Sequence, residues 1–305
     1  MIKKGLFWLG VFFLYLISLL PFWFLYLIAD VLFVLLYYVI GYRRKVVWKN
    51  LSNSFPEKSE AELKDIERKY FHYLADLMVE TVKMFTISEK EVKKRMVPHN
   101  YELINEYFKQ GKSVIGAVAH YGNWELAGLR LSLLFTQRRV VVYKQLNNEG
   151  FDGAFKRMRS RFGATLIEMR STMRALISFK KEQSITVLVS DQTPVPHEIN
   201  YFANFLNQPT AVFLGVEKLA KLLDNPVVFC DIRRVKRGYY ETTIVPLCEN
   251  PKQTADYEIT QLHLRYLEKV IREEPQYWLW SHKRWKFTPE WLWANRKFKP
   301  EESGL

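Results

Sequence analysis

Between Gly5 and Gly41 the chain carries one side chain that is charged at neutral pH, Asp30. A run this long and this apolar has to be covered by protein or by lipid. As one helix it would reach roughly 55 Å, against about 30 Å of hydrocarbon in a bilayer, and Pro21 divides it. No small-residue cleavage site closes it, so it does not read as a cleavable signal peptide. Gly5 to Leu20 is short for a span; Phe22 to Ile40 has a suitable length and carries Trp23, Tyr26, Tyr37 and Tyr38 near its ends, as an aromatic belt would. Lys3 and Lys4 precede the two segments, and Arg43, Arg44, Lys45 and Lys49 follow them. Cations at both ends suit a hairpin or re-entrant pair. One span plus one helix in the interface fits as well, and so does a helical pair buried in a soluble domain.

The remainder reads as one domain, 42–290, followed by a tail, 291–305. Ser59 and Glu62 form a capping box ahead of a long amphipathic helix that runs to about Phe85. Glu89 to Arg95 reads as a solvated charge run, and Tyr101 to Lys109 as a short helix. Apolar runs of strand length then alternate with helical periodicity. Strands are expected at 113–118, 140–143, 164–167, 185–189, 227–232 and 240–245, with a hairpin turn at Gly238. Helices are expected at 126–134, 151–162 (closed by Gly163), 172–181, 210–223 and 254–274. This alternation predicts an α/β fold, a mainly parallel central sheet flanked by helices. The loop from Pro196 to Thr210 is longer than a simple connection needs.

The chemistry is expected where the first of these strands ends, at Ala119-His120-Tyr121-Gly122-Asn123-Trp124-Glu125. In open α/β sheets ligands bind at the carboxyl edge of the strands. Gly122 removes a side chain, which would let a substrate approach the backbone. Asn123 is a good N-cap, and the helix start it makes favours a developing anion. A neutral imidazole at His120 could take the proton of a hydroxyl attacking a carbonyl, with Glu125 in the first helical turn to orient the ring. A structural histidine beside an ordinary helix-start acid has the same spacing.

Asp191 stands at another strand's carboxyl end, where it could bind substrate or cap the turn before Pro194. Arg157, Arg159, Arg161 and Arg170 suit bidentate phosphate recognition, or form a solvated basic face. The net charge of +13 calls for anionic partners. Two cysteines, Cys230 and Cys248, without C-x-x-C spacing offer neither a disulfide framework nor a thiolate metal site, and His197 and Glu198 have no metal-ligand spacing. Tyr277 to Lys286 mixes aromatic and cationic residues. Beside an apolar N-terminus that reads as a membrane interface; single-stranded nucleic acid, which stacks on similar residues, is not the expected partner.

Taken together, these motifs resemble the lauroyl/myristoyl acyltransferase family of lipid A biosynthesis, within the wider glycerolipid acyltransferase superfamily. The resemblance rests on the N-terminal anchor, the basic segment Arg43 to Phe55 and the histidine–acid signature His120 to Glu125. It continues through Arg159-Ser160-Arg161-Phe162-Gly163, Asp191-Gln192 and the run Pro275 to Trp285. It implies a glycerolipid acyltransferase-like fold with an N-terminal membrane helix or helix pair. The implied reaction passes an acyl chain from acyl carrier protein, or a related thioester, to a hydroxyl of a phosphorylated glycolipid, a lipid A precursor. It would run at the cytoplasmic face of the inner membrane, without cofactor or metal. His120 would be the general base with Glu125 its partner. Arg159 or Arg161 would contact phosphate or the oxyanion, with Asp191, Gly122 and Asn123 on the substrate side. The residues between the histidine and the acid, Tyr121 to Trp124, differ from those of well-known members. The acceptor could therefore be another lipid, such as an ornithine lipid, a glycolipid or a pigment ester, and a membrane adaptor without catalysis is a further reading.

Overall fold

Capping, glycine placement and strand composition account for most of the element boundaries. The structure, a computed structural model, describes residues 2–146 and 148–296. The helices are α1 (Ile2–Leu19), α2 (Phe22–Val34), α3 (Arg44–Ser54), α4 (Glu60–Lys83), α5 (Glu89–Arg95), α6 (Glu102–Lys109), α7 (Trp124–Leu131), α8 (Glu149–Ser160), α9 (Thr172–Ser178), α10 (Gly215–Leu223), α11 (Glu258–Glu273) and α12 (Pro289–Arg296). The strands are β1 (Met96–His99), β2 (Val114–Val118), β3 (Arg138–Tyr143), β4 (Thr165–Glu168), β5 (Ser184–Val189), β6 (Phe202–Phe205), β7 (Gln208–Ala211), β8 (Val227–Lys236) and β9 (Tyr239–Cys248).

Seven strands form one sheet in the order β1-β9-β8-β2-β5-β3-β4. All neighbouring pairs are parallel except β8 and β9, a hairpin. Gly238 turns that hairpin with φ +75°, a conformation a side chain would resist. Helices cover both faces, as a parallel sheet requires. The strand at the centre, β2, is buried along its whole length. It lies between β5 and β8, with Val118 opposite Val189.

The α/β reading thus describes the fold, and the Ser59–Glu62 capping box is formed at the head of α4. Four local expectations change. Glu89 to Arg95 is a helix that buries Val92 and Arg95, whose guanidinium ties to Glu91 and to the Gly238 carbonyl. The helix expected from Thr210 begins only at Gly215, because Gln208–Ala211 pairs back on Phe202–Phe205. Leu206 and Asn207 form the two-residue turn between them, at φ 50° and 61°. The long loop after Pro196 therefore holds this small hairpin. At the C-terminus, the helix Pro289–Arg296 runs across the expected boundary at 290 into the tail, and the tail from 297 lies outside the described residues.

The fourth change concerns Tyr277 to Lys286. This segment is a strap folded across the carboxyl edge of the sheet, with Trp278, Trp280 and Arg284 buried. The Trp280 indole donates to the Pro275 carbonyl at 2.6 Å, and Asn50 of α3 donates to the Trp280 and His282 carbonyls. The backbone N–H of Leu279 donates to the His120 carbonyl, and that of Gly122 to the Tyr277 carbonyl. Aromatic residues whose N–H groups find partners inside the protein are core, not membrane contacts.

Among the described residues, Phe22–Val39 is the run long and apolar enough to cross a membrane. It consists of α2 and the wider turn Leu35–Val39, and it packs lengthwise on α4.

Candidate active site

Two parallel neighbours in register carry their next residues to the same place. Because Val118 pairs with Val189, His120 and Asp191 each stand two residues beyond the paired ends of β2 and β5. The side chains meet there: His120 Nδ1 lies 2.6 Å from Asp191 Oδ1, and the His120 backbone N–H donates to Asp191 Oδ2 at 3.0 Å. The indole N–H of Trp278, brought by the strap, donates to the same Oδ2 at 2.8 Å. Asp191 is 2% exposed and His120 19%. Burial alone would raise the Asp191 pKa. The charge of His120 and the hydrogen bonds from His120 and Trp278 outweigh it and hold the carboxyl well below the usual carboxylate range. An ionised carboxylate can only accept, so His120 carries its proton on Nδ1 and keeps the Nε2 lone pair.

That lone pair faces a cavity of about 710 Å³, a size that holds a drug-sized or acyl ligand. Its buried wall includes Val118, Leu129, Phe135, Val142, Val187 and Ile244; its exposed rim includes Lys144, Gln145 and Arg170. The Gln192 side-chain amide nitrogen sits 3.2 Å from His120 Nε2 and donates to it. The Trp124 ring stands edge-on to the imidazole, centroids 4.8 Å apart. Ser190 also lines the cavity, and its buried Oγ has no partner among the described residues.

Glu125 is placed differently from the expectation. Its carboxylate receives both Nε and Nη2 of Arg159 on α8, the first at 2.8 Å, and no described hydrogen bond joins it to His120. The reason is the helix start: α7 begins at Trp124, so Glu125 projects toward α8. The position at Nδ1 belongs to Asp191. Burial would lower the Arg159 pKa, but the hydrogen bond and charge of Glu125 more than reverse it, so the guanidinium stays charged. Its Nη1 makes no hydrogen bond to a described residue. Both side chains line the cavity.

The other expected site residues divide. Asn123 does cap α7, accepting from the Leu126 N–H at 2.9 Å, but it is fully buried and its amide donates to Glu80 at 2.7 Å. Gly122 has φ +58°, and a Cβ there would lie 2.8 Å from Ile232 Cγ2. Its missing side chain thus makes room for β8, not for substrate. Arg161 donates to the Met84 carbonyl at 2.6 Å and does not line the cavity. Among the described residues no cluster of three or more His, Cys, Asp or Glu could hold a metal ion. Sequence reasoning missed the roles of Gln192 and Trp278. Both lie within the motifs quoted above, beside a strand-end acid and in an aromatic run.

This arrangement suits acyl transfer to a hydroxyl: an imidazole with a fixed tautomer and a charged guanidinium line one cavity whose inner wall is apolar. Comparison with known proteins agrees. The sequence profile of the family described as bacterial lipid A biosynthesis acyltransferase matches residues 1–287. A lipid A biosynthesis acyltransferase of Haemophilus influenzae is 24% identical over 279 residues, covering 90% of this chain and 85% of the relative. The lipid A biosynthesis lauroyltransferase of Escherichia coli K12 is 23% identical over 290 residues, covering 94% of each. The palmitoleoyltransferase of the same organism is 23% identical over 248 residues, covering 81% of this chain and 80% of the relative. The chain belongs to the bacterial lipid A biosynthesis acyltransferase family and is an acyl-transferring enzyme.

Proposed function

We propose that this enzyme moves a fatty acyl chain from a thioester, with acyl carrier protein as donor, to a hydroxyl of a phosphorylated lipid A precursor. His120 is the general base. The observation that carries the reading is the imidazole pinned at Nδ1 by buried Asp191 while Nε2 opens on a cavity with an apolar inner wall. The acceptor hydroxyl takes the place of the Gln192 amide at Nε2. As its oxygen attacks the thioester carbonyl carbon, its proton passes to Nε2, and the imidazolium formed is stabilised by Asp191. The new C–O bond leaves a tetrahedral oxyanion, stabilised by two groups of the cavity lining, Arg159, held charged by Glu125, and the Ser190 hydroxyl. Collapse breaks the C–S bond, and the imidazolium proton goes to the departing sulfur. Glu125 is thus a catalytic partner acting through Arg159. Asp191 acts through His120, and Asn123 and Gly122 shape the turn.

Residues 1–41 serve as the membrane anchor of a catalytic domain, 42–290, that works at the cytoplasmic face of the inner membrane. The net charge of +13 suits an acidic carrier, a phosphorylated acceptor and anionic headgroups alike. Purified protein incubated with acyl-carrier thioesters and a lipid A precursor should release thiol and form the acylated product, and His120→Ala should abolish both. Unchanged turnover in that variant would rule out the base. Turnover only with a different lipid acceptor would rule out the substrate and keep the chemistry.

A further inference from the structure

The run Phe22–Val39 has the length of a membrane span, about 27 Å at 1.5 Å per residue, but its packing forbids that use. It lies antiparallel on α4 from end to end. Near its start the Lys83 ammonium donates to the Leu20 carbonyl at 2.8 Å, and the Tyr26 hydroxyl to Glu80 at 3.0 Å. At its middle Asp30 pairs with Arg237 of the β8–β9 turn at 2.6 Å and lies 3.3 Å from His72. Arg237 and Arg234 both also pair with Asp76, which is fully buried. Near its end Tyr37 donates to Glu67, which Arg44, beyond the run, also holds at 2.9 Å. Leu25 and Ala29 close the seam against Ala75 and Val79. If this run crossed a bilayer, α4 and this chain of acids and arginines would be drawn into the hydrocarbon with it. Arg68 and Lys69, more than half exposed on α4, would go too. Charges at that depth are strongly disfavoured.

The opposite face cannot be left in water. Trp23, Leu27, Val31, Val34 and Tyr38 recur at helical spacing along one stripe, between 47% and 66% exposed. Arg43, Lys45 and Lys49 follow it, exposed. An apolar stripe with aromatic residues at both ends and cations beyond it is the pattern of a helix lying in the interface above anionic headgroups. We propose that α2 is such a helix. It lies parallel to the bilayer surface, with the Trp23-to-Tyr38 stripe in one leaflet and the Leu25–Ala29 stripe on α4, so that it seats the catalytic domain on the membrane without crossing it. The inference rests on the membrane-anchor reading above and is independent of the catalytic one.

The test uses the full-length chain in vesicles of phosphatidylethanolamine and phosphatidylglycerol, with no substrate present. Single cysteines replace Trp23, Leu27, Val31, Val34 and Tyr38 in turn in a background lacking Cys230 and Cys248, and each carries an environment-sensitive fluorophore. Quenching by lipids spin-labelled at shallow and deep positions gives its depth. The proposal predicts one shallow depth for all five. Depth that runs from shallow at Trp23 through a maximum near Val31 to shallow at Tyr38 would overturn it, as would the absence of lipid quenching at every position. As a second measurement, Leu19→Cys and Tyr42→Cys should react with an impermeant maleimide from the side that labels Lys252→Cys; Leu19→Cys and Tyr42→Cys reacting from opposite sides would overturn the proposal. All seven probe positions in the N-terminal segment are exposed, so thermal melts should match the background protein.

Discussion

Replacing Asp191 by Asn should convert the imidazole to its unusable tautomer. Two donors, the His120 backbone N–H and the Trp278 indole N–H, converge on Oδ2. In the variant they hold the amide oxygen on that side. The amide NH2 then faces His120 Nδ1, which must become the acceptor, and the ring proton moves to Nε2. A histidine protonated on Nε2 cannot take a proton from a hydroxyl there. The loss should be that of a general base with its tautomer inverted, about 10³–10⁴ in kcat, or roughly 4–5.5 kcal/mol of transition-state stabilisation. Folding should suffer far less, since the two donors keep an acceptor; a cost of about 1–3 kcal/mol is expected for weakening one charged hydrogen bond. The assay is thiol release from the acyl thioester in mixed micelles, with melting temperatures measured in parallel. A folded Asp191→Asn protein with kcat within about threefold of wild type would refute the assignment. So would a comparable collapse confined to Glu125→Gln, which here removes the charge and one of the two oxygens that Arg159 meets and leaves the His120 tautomer alone.

Trp278→Phe removes one donor from Asp191 and leaves its negative charge more concentrated on the oxygen facing His120. The acid limb of kcat/KM should therefore move to higher pH, by about half a unit to one unit, whereas a purely structural loss would lower the amount of active protein without moving the limb. Arg159→Lys keeps a charge but loses the two-pronged contact with Glu125, and kcat should fall roughly 10- to 100-fold with little change in KM. His263 is fully buried, and burial pushes its pKa down to about 4, a displacement only slightly offset by Asp191. The unfolded chain takes up a proton near pH 6.5 and the folded one does not, so this site contributes its full stability above that value and loses it as pH falls toward 4. Between pH 6.5 and 5 the loss reaches about 2 kcal/mol. Urea unfolding should show that slope in the wild type and a flatter one in His263→Phe.

Local rules made much of this legible. The Ser59–Glu62 box, Asn123 as a cap, Gly238 as a hairpin turn and the apolar strand before His120 are all properties of neighbouring residues. The contact between His120 and Asp191 is not. It depends on β5 lying beside β2 with Val118 opposite Val189, and strand order is set by packing across the sheet. Spacing drew attention to Glu125 because it is close in sequence. The helix that starts at Trp124 turns it toward an arginine 34 residues away. The aromatic and cationic strap failed differently. Composition cannot tell a tryptophan whose N–H meets headgroups from one whose N–H meets Asp191, since the carboxylate is 87 residues distant. The apolar N-terminus posed the same problem in reverse: hydropathy gives the length of Phe22–Val39 but not the acids and arginines of α4 and β8–β9 that lie along it.

The account stands on the tautomer of a single ring. Nitrogen-15 NMR of the histidine-labelled enzyme, with His120 assigned by its absence in His120→Gln, reads it directly at a pH where the imidazole is neutral. A proton on Nδ1 and a bare, pyridine-type Nε2, exchanged in Asp191→Asn, is the predicted result. A proton on Nε2 in the wild-type enzyme would contradict it.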